Sequence, residues 1–360
     1  MEVQKAYKTE LDPNNKQVTQ LLKHCGCARF AYNWGLARVK DQISKPNAMQ
    51  LHKELNSLKQ TEFPWMYEVS KCAPQEALRD LQKAFINFFE KRSDFPKFKK
   101  KGESSNSFRL TGVIKIENNR IQLPRLGWIR LKESGYIPKS SHILSVTIAE
   151  QAGRWFISVL IKEDIKQVEL KDNVLGIDLG IKTLATCSDG TQYENPKALI
   201  KYEKKLKRLQ RKLSRQQKSS NRRKKTKNQI ARIWMKIRNI RKDNIQKATT
   251  EIVKTKQCAV IVLEDLNVQG MTKNHCLAKS VTDASMSLFK TILEYKQKWS
   301  GGEVKFVDRF YPSSKTCSAC GWICNDLSLS DRIFICNECG LEIDRDYNAS
   351  INLKQYSFVT

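Results

Sequence analysis

Apolar residues recur at two different spacings along this chain, and the change of spacing divides it. Between residues 16 and 43, Val18, Leu21, Leu22, Cys25, Phe30 and Leu36 fall at helical intervals. A second helical run opens at Pro74, with Leu78, Leu81, Phe85, Phe88 and Phe89 along one side. The fixed φ of proline suits a first helical position. From Phe108 to Lys162 the period shortens toward two. FRLTGVIKI, RIQLP, ILSVTIAE and RWFISVLIK read as strands, broken by NN, GW, SGYIP and QAG. The pattern predicts a helical module followed by a small antiparallel barrel or sheet.

Beyond Lys171 an α/β pattern takes over. VLGIDLG reads as a strand, LATCSDG as its hairpin partner and CAVIVLED as a buried strand. A helix near 283–299, the strand EVKFVD and a last short helix from about Asn348 follow. Between LATCSDG and CAVIVLED lie two apolar stripes, Tyr202, Leu206, Leu209, Leu213 and then Ile230, Ile233, Ile237, Ile240. The stretch SRQQKSSNRRKKTKN between them holds no apolar residue, so a helical hairpin with a polar tip is predicted. No repeat at solenoid periods is present.

Charge sharpens this picture. The 360 residues carry 65 Lys+Arg against 37 Asp+Glu, a net of +28. From Lys201 to Lys256 there are 22 Lys/Arg and three acids, so +19 of that total sits on the hairpin. A block this one-sided favours a polyanion, since each neutralised phosphate releases counterions. An anionic membrane surface or a merely solvated hairpin are the alternatives. In KRSDFPKFKKK, residues 91–101, Phe95 and Phe98 alternate with Lys97, Lys99, Lys100 and Lys101. Aromatics among lysines suit single-stranded nucleic acid, although both rings could instead pin a loop to the core. Candidate nucleic-acid contacts are therefore Lys97, Lys99, Lys100, Arg208, Arg211, Arg222, Arg223, Lys224 and Lys225. With 40% hydrophobic residues and nine prolines, the chain is neither disordered nor collagenous. The N-terminus has no apolar signal core, and aliphatic runs such as Ala259 to Leu263 fall far short of a membrane span. The eleven cysteines are accordingly expected to stay reduced.

Four of them form the most specific local signal. Cys317-Ser-Ala-Cys320-Gly and Cys336-Asn-Glu-Cys339-Gly are two CxxC pairs with fifteen residues between them, the spacing of a zinc ribbon. Four thiolates leave no open position, so the site is structural. Cys324 breaks the pairing and is left out. Cys25, Cys27, Cys72, Cys187, Cys258 and Cys276 show no comparable pattern.

A second signal is a set of acids at the ends of hydrophobic strands. Asp178 lies within VLGIDLG, Glu264 and Asp265 end VIVLED, and Asp344 and Asp346 precede the last helix. A carboxylate in a buried strand is costly unless paired or metal-bound. Three acidic groups from distant segments suggest a shared Mg²⁺ or Mn²⁺ site, as in two-metal phosphodiester cleavage. Glu264 or Asp265, and likewise Asp344 or Asp346, also read as helix caps, and the pattern does not choose Glu264 over Asp265 or Asp346 over Asp344. No Ser-His-Asp or Cys-His pairing stands out among His24, His52, His142 and His275, and no Walker-type loop is present.

Taken together, GIDLG, LED, the paired cysteines and DRDYNAS resemble the RuvC-like nuclease of the TnpB (OrfB) family, transposon-encoded RNA-guided DNA endonucleases related to type V CRISPR effectors. ARFAYNWGL at 28–36, FPKFKKK at 95–101 and YPSSKTCSACG at 311–321 are similar to further family motifs in the same order, so the resemblance spans nearly the whole chain.

That resemblance implies a multidomain α+β fold, in which residues 1–15 and 95–165 form a wedge-like β-barrel and residues 16–94 a helical recognition module. Residues 172–360 would be an RNase H-like (RuvC) α/β nuclease domain with a zinc ribbon inserted at 312–342. It assigns Asp178, Glu264 and Asp346 to two Mg²⁺ (or Mn²⁺) ions bridged by Asp178, and Cys317, Cys320, Cys336 and Cys339 to one Zn²⁺. It also implies a transposon-derived guide RNA, a double-stranded DNA target with a short flanking motif read by the N-terminal half, no membrane partner, and a prokaryotic cytoplasmic setting at the nucleoid. All three acids are present, unlike in nuclease-dead relatives. A nuclease-inactive RNA-guided repressor and a guide-independent transposase are the alternatives.

Overall fold

The computed structural model describes residues 1–138, 142–166, 168–328 and 331–356. The chain divides into two units, Glu2–Asp164 and Ile165–Thr360, with Met1 joined to the second.

The first unit runs β1 (Glu2–Asp12), α1 (Asn15–Lys40), α2 (Ala48–Leu58), α3 (Cys72–Phe89), β2 (Ser107–Leu110), β3 (Lys115–Glu117), β4 (Arg120–Leu123), β5 (Gly127–Leu131), β6 (His142–Gln151) and β7 (Arg154–Asp164). A reciprocal cap starts α1: Asn14 Oδ1 accepts from the Gln17 amide at 2.9 Å, and Gln17 Oε1 accepts from the Asn14 amide at 3.0 Å. Leu21, Cys25, Ala28 and Leu36 of α1 are buried in one core with Leu78, Leu81 and Phe85 of α3. That helix starts at Cys72, so Pro74 takes its third position. The first four amides of a helix have no intrahelical acceptor, and proline fits there equally well. Phe89 is 65% exposed. It ends the apolar stripe outside the core, in a ring cluster with Phe85 and Phe88.

The seven strands follow the order β2-β6-β7-β1-β5-β4-β3, all antiparallel. Among the described residues the two end strands, β2 and β3, are not paired with each other. Two expectations change here. FRLTGVIKI is not one strand: Gly112, at φ +96°, lies between β2 and β3, which go to opposite ends of the sheet. The GW dipeptide does not break a strand but opens β5, because the turn falls just before it, at residues 124–126.

The second unit runs β8 (Lys171–Asp178), β9 (Thr183–Cys187), β10 (Gln192–Glu194), α4 (Ala198–Ser214), α5 (Asn221–Glu251), β11 (Cys258–Glu264), α6 (Val268–Met271), α7 (Ala278–Ala284), α8 (Met286–Ser300), β12 (Glu303–Val307), β13 (Ile333–Ile335), β14 (Glu342–Asp344) and α9 (Arg345–Tyr356). The sheet order is β10-β9-β8-β11-β12, with β8, β11 and β12 parallel. Leu175, Ile177, Ile261 and Leu263 pack with Phe289, Ile292 and Leu293 of α8 and Ile245 and Ala248 of α5. Val262 and Val307 pack with Leu353 of α9. Cover on both faces is why β11 reads as an unbroken apolar run. Gly176 lets α9 come down on β8, since a Cβ there would overlap the Ser350 carbonyl oxygen.

The basic hairpin forms as the stripes predict. Leu206 and Leu209 of α4 bury against Ile233 and Ile237 of α5, with Tyr202, Ile230 and Ile240 packed around them. Its base is fastened by Asp283, 3% exposed, which accepts from the Leu199 amide at 3.0 Å and pairs with Arg241 at 2.7 Å. The helix expected near 283–299 is divided at Ser285, φ +57°, into α7 and α8. No helix among the described residues is long and apolar enough to cross a membrane.

Candidate functional site

Two carboxylates meet because two parallel strands end side by side. Ile177 pairs with Leu263, so Asp178 and Glu264 follow as neighbours at the C-terminal ends of β8 and β11. Such ends are where α/β sheets place ligands. The third acid comes from the helix seated on Gly176. The helix α9 begins at Arg345, three residues before Asn348, so Asp346 lies in its first turn, next to the same strand end. A Cβ built on Gly180 would be 3.8 Å from Asp346 Oδ2.

Glu264 and Asp346 both act electrostatically on Asp178. Burial, then Glu264, then Asp346 push the Asp178 carboxyl well above the usual carboxylate range, while Arg345 and the Leu179 amide pull it back only in part. A divalent cation would reverse this penalty by favouring the ionised form, and hard carboxylate oxygens suit it.

The two acids that the pattern left open against these have other partners. Asp265 is exposed and pairs with Arg309 at 3.2 Å and Lys290 at 3.6 Å. Asp344 Oδ1 accepts from the Asp346 and Tyr347 amides, both at 3.0 Å, and so caps α9.

The four thiols form a second centre. Cys317, Cys320, Cys336 and Cys339 place their sulfurs within 4.8 Å of one another. Each pair is a knuckle of the same construction. The amide of the glycine after it, Gly321 or Gly340, donates back to Cys317 or Cys336 at 3.0 Å, and both glycines adopt positive φ. The Cys317–Cys339 and Cys320–Cys336 sulfurs lie 3.6 and 3.5 Å apart. Metal–sulfur bonds of ~2.3 Å in a tetrahedron require about 3.8 Å, so the set fits a four-thiolate ion. All eleven cysteines are free of disulfides, and Cys25, Cys27, Cys72, Cys187 and Cys258 are buried in the cores. His24 is buried too: its Nδ1 contacts the Gln20 carbonyl and its Nε2 accepts from the Ser70 amide.

Basic residues predicted to touch nucleic acid separate into two groups. Arg208 and Arg211 line one groove of about 840 Å³ along α4, together with Lys201, Lys204, Lys205, Lys212 and Arg215, which the sequence did not single out. Arg222, Lys224 and Lys225 are exposed at the start of α5. Arg223 instead turns inward, donating to the Gln216 carbonyl at 3.0 Å and to that of Leu213, so it caps α4. In the first unit Lys97 and Lys100 are exposed. Lys99 lies over the Tyr32 ring at 3.8 Å, its backbone bonded to Asn33 at 2.8 Å.

A relative from Streptomyces pristinaespiralis is 34% identical over 360 residues, covering 98% of this chain and 89% of its own. One from Escherichia coli (strain K12) is 34% identical over 371 residues, covering 97% and 91%. Both carry the name "Putative RNA-guided DNA endonuclease", the second with the suffix InsQ. The chain belongs to the TnpB (OrfB) family.

Residues 156–275 of this TnpB-family chain match an OrfB/IS605 profile described as "Probable transposase", and 287–353 one described as "Cas12f1-like, TNB domain". Residues 1–47, which match a profile described as "Helix-turn-helix domain", fold here as a strand and one long helix, β1 and α1. Among solved structures, the Cas12f1–sgRNA–target DNA complex superposes with a TM-score of 0.60 at 16% identity, covering 94% of this chain and 82% of that one. The mini-RNA-guided endonuclease CRISPR-Cas_phi3 gives 0.51 at 8% identity, covering 98% and 92%. The TnpB-family fold here is thus the mixed α/β multidomain fold of these effectors.

Sequence pattern missed Ser313, Asn348 and Asn352 of this TnpB-family chain, all buried around the two centres. One signal for the asparagines was available: they stand at i and i+4, flanking the apolar Ala349 and Leu353, where a helix exposed to water would gain nothing from them.

Proposed function

We propose that this chain is an RNA-guided DNA endonuclease that hydrolyses phosphodiester bonds at Asp178, Glu264 and Asp346. The observation that carries the proposal is the convergence of three carboxylates, one strongly disfavoured as an anion, inside a chain of net charge +28. These carboxylates would hold two Mg²⁺ or Mn²⁺ ions. Bound there, the ions would supply an activated water and neutralise charge developing on the phosphate. In this reading β8, β9, β11 and α9 are the core of an RuvC-like domain, and the first unit is the recognition module with its wedge-like sheet. Cys317, Cys320, Cys336 and Cys339 would bind Zn²⁺ as a structural ribbon.

The names of the relatives and the fold of the effectors support an RNA guide and a DNA target. The α4 groove would hold phosphates of one of these strands. In the first unit a cleft of about 1000 Å³, lined in part by Lys59, Lys71, Lys115, Arg125, Asn56 and Gln122, offers cations beside amides. This is the mix needed to read a short duplex motif.

The test is to purify the protein with the RNA it retains, sequence that RNA, and offer matched double-stranded DNA in Mg²⁺. Cleavage is expected, and Asp178→Ala should abolish it while the RNA stays bound. Retained cleavage by Asp178→Ala would sink the triad. Binding of matched DNA without cutting would establish a guided repressor. Joining of transposon ends without RNA would establish a stand-alone transposase, the activity named in the matching profile.

A further inference from the structure

Glu264 does not stand alone at the end of β11. The hydroxyl of Ser313, 2% exposed, donates to Glu264 Oε1. Ser313 stands four residues before Cys317, on the segment that enters the first thiolate knuckle. Its carbonyl accepts from Asn352 Nδ2 at 2.7 Å, and the same nitrogen donates to the Thr316 carbonyl at 2.6 Å. One turn earlier on α9, Asn348 Nδ2 also donates to the Thr316 carbonyl, at 2.7 Å, and Asn348 Oδ1 accepts from the Ser318 amide at 3.0 Å. Both asparagines are at most 1% exposed, so water does not compete for these bonds.

The single hydroxyl proton of Ser313 is therefore committed to Glu264, and both amide protons of Asn352 to the knuckle segment. Satisfied buried networks of this kind fix geometry. The helix that clasps residues 313–318 is the one that carries Asp346 in its first turn. A continuous chain of contacts thus runs from Glu264 through Ser313 and Asn352 into α9, and Cys317 lies inside the clasped stretch.

We infer that Ser313 and Asn352 are positioning residues that couple the thiolate centre to the carboxylate site, with Ser313 holding Glu264 ready for a divalent cation. The inference rests on the reading of Asp178, Glu264 and Asp346 as cation ligands. Coupling of this kind is reciprocal: order at the knuckle favours cation binding, and cation binding favours order at the knuckle. Partners that orient metal ligands typically contribute ~10- to 100-fold in affinity.

The experiment uses the full chain with its RNA, Co²⁺ in the thiolate centre as a spectroscopic reporter, and Mn²⁺ binding followed by electron paramagnetic resonance. Ser313→Ala is expected to weaken Mn²⁺ binding ~10-fold with the thiolate-to-cobalt absorbance unchanged. Ser313→Thr, which keeps the hydroxyl, should recover most of that loss. Asn352→Leu, which keeps the branched outline but no donor, should weaken Mn²⁺ and also alter the cobalt spectrum, since it removes the donor to Ser313 and one of the two donors that hold Thr316 next to Cys317. Wild-type Mn²⁺ affinity in both Ser313→Ala and Asn352→Leu, with loss of binding in Asp178→Ala, would overturn the coupling alone. Wild-type affinity in Asp178→Ala would instead overturn the cation reading on which it rests.

Discussion

Replacing Gly176 by alanine adds one methyl group at the tightest point between β8 and α9. That carbon would lie 2.5 Å from the Lys354 amide nitrogen and 3.2 Å from the Leu353 carbonyl carbon, besides overlapping the Ser350 carbonyl oxygen. Comfortable contact begins near ~3.5 Å, so more than about 1 Å of separation has to be made. All three obstructing atoms belong to the backbone, and no rotamer change relieves them. β8 is held by Ser188, whose hydroxyl accepts from the Gly176 amide at 3.1 Å and whose amide donates to the Gly176 carbonyl at 2.9 Å. The helix must therefore give way. Overpacking of this kind costs ~1–3 kcal/mol, which in a unit of this size lowers Tm by roughly 2–4 °C per kcal/mol. The effect on chemistry should be larger. Asp346 rides on the first turn of α9, and a misplacement of ~1 Å can cost ~100-fold in rate. Thermal unfolding and single-turnover cleavage of matched DNA would measure the two effects together. Gly26→Ala is the control, because nothing lies within 4 Å of a Cβ at that helical position. A Gly176→Ala protein with wild-type Tm and wild-type rate would refute the argument that this glycine sets the position of Asp346.

Three further outcomes are expected. Because Asp178 is pushed up, the folded metal-free protein binds more protons than the unfolded chain above the ordinary carboxylate range, so its stability falls as pH rises through that window. Asp178→Asn should flatten this fall and raise Tm near neutral pH in chelator, and a lower Tm would contradict it. Asp283→Ala should destabilise the hairpin base by ~3–5 kcal/mol, leaving Arg241 buried without its partner, and a denaturant titration showing no loss would exclude the pair as a fastening. Removing Arg208 and Arg211 together should lower the slope of log affinity against log salt for RNA by up to about 2, and an unchanged slope would place the phosphates elsewhere.

What could be read from sequence follows from how local each constraint is. The thiolate centre was readable because a knuckle is built within five residues, so spacing alone encodes it. The hairpin was readable because its core is its own two stripes. The acids were only half readable. Asp178 stands out inside an apolar strand, but Asp265 is engaged by Lys290 from α8 and Arg309 from beyond β12, and Asp344 by the turn it caps. The partners of Asp265 are tertiary, and no window around it contains them; the Asp344 cap is local, but Asp346 suits the same role in sequence. The family resemblance, not the pattern, chose Glu264 and Asp346. FRLTGVIKI misled for a similar reason: alternation gives strand character but not which neighbour each half will join. Lys99 and Arg223 look like their exposed neighbours in sequence, yet one covers Tyr32 and the other closes the end of α4.

The groove along α4 has a length as well as a charge. From Lys201 to Arg215 the helix rises about 21 Å at ~1.5 Å per residue. A strand lying along it would advance ~3.4 Å per nucleotide and so would present about six consecutive phosphates to the cations. Trimming two turns from the helix would shorten that footprint by about three nucleotides while leaving the sheet and its acids untouched. The hairpin is in this sense a measuring rod, and its graduation is the helical turn.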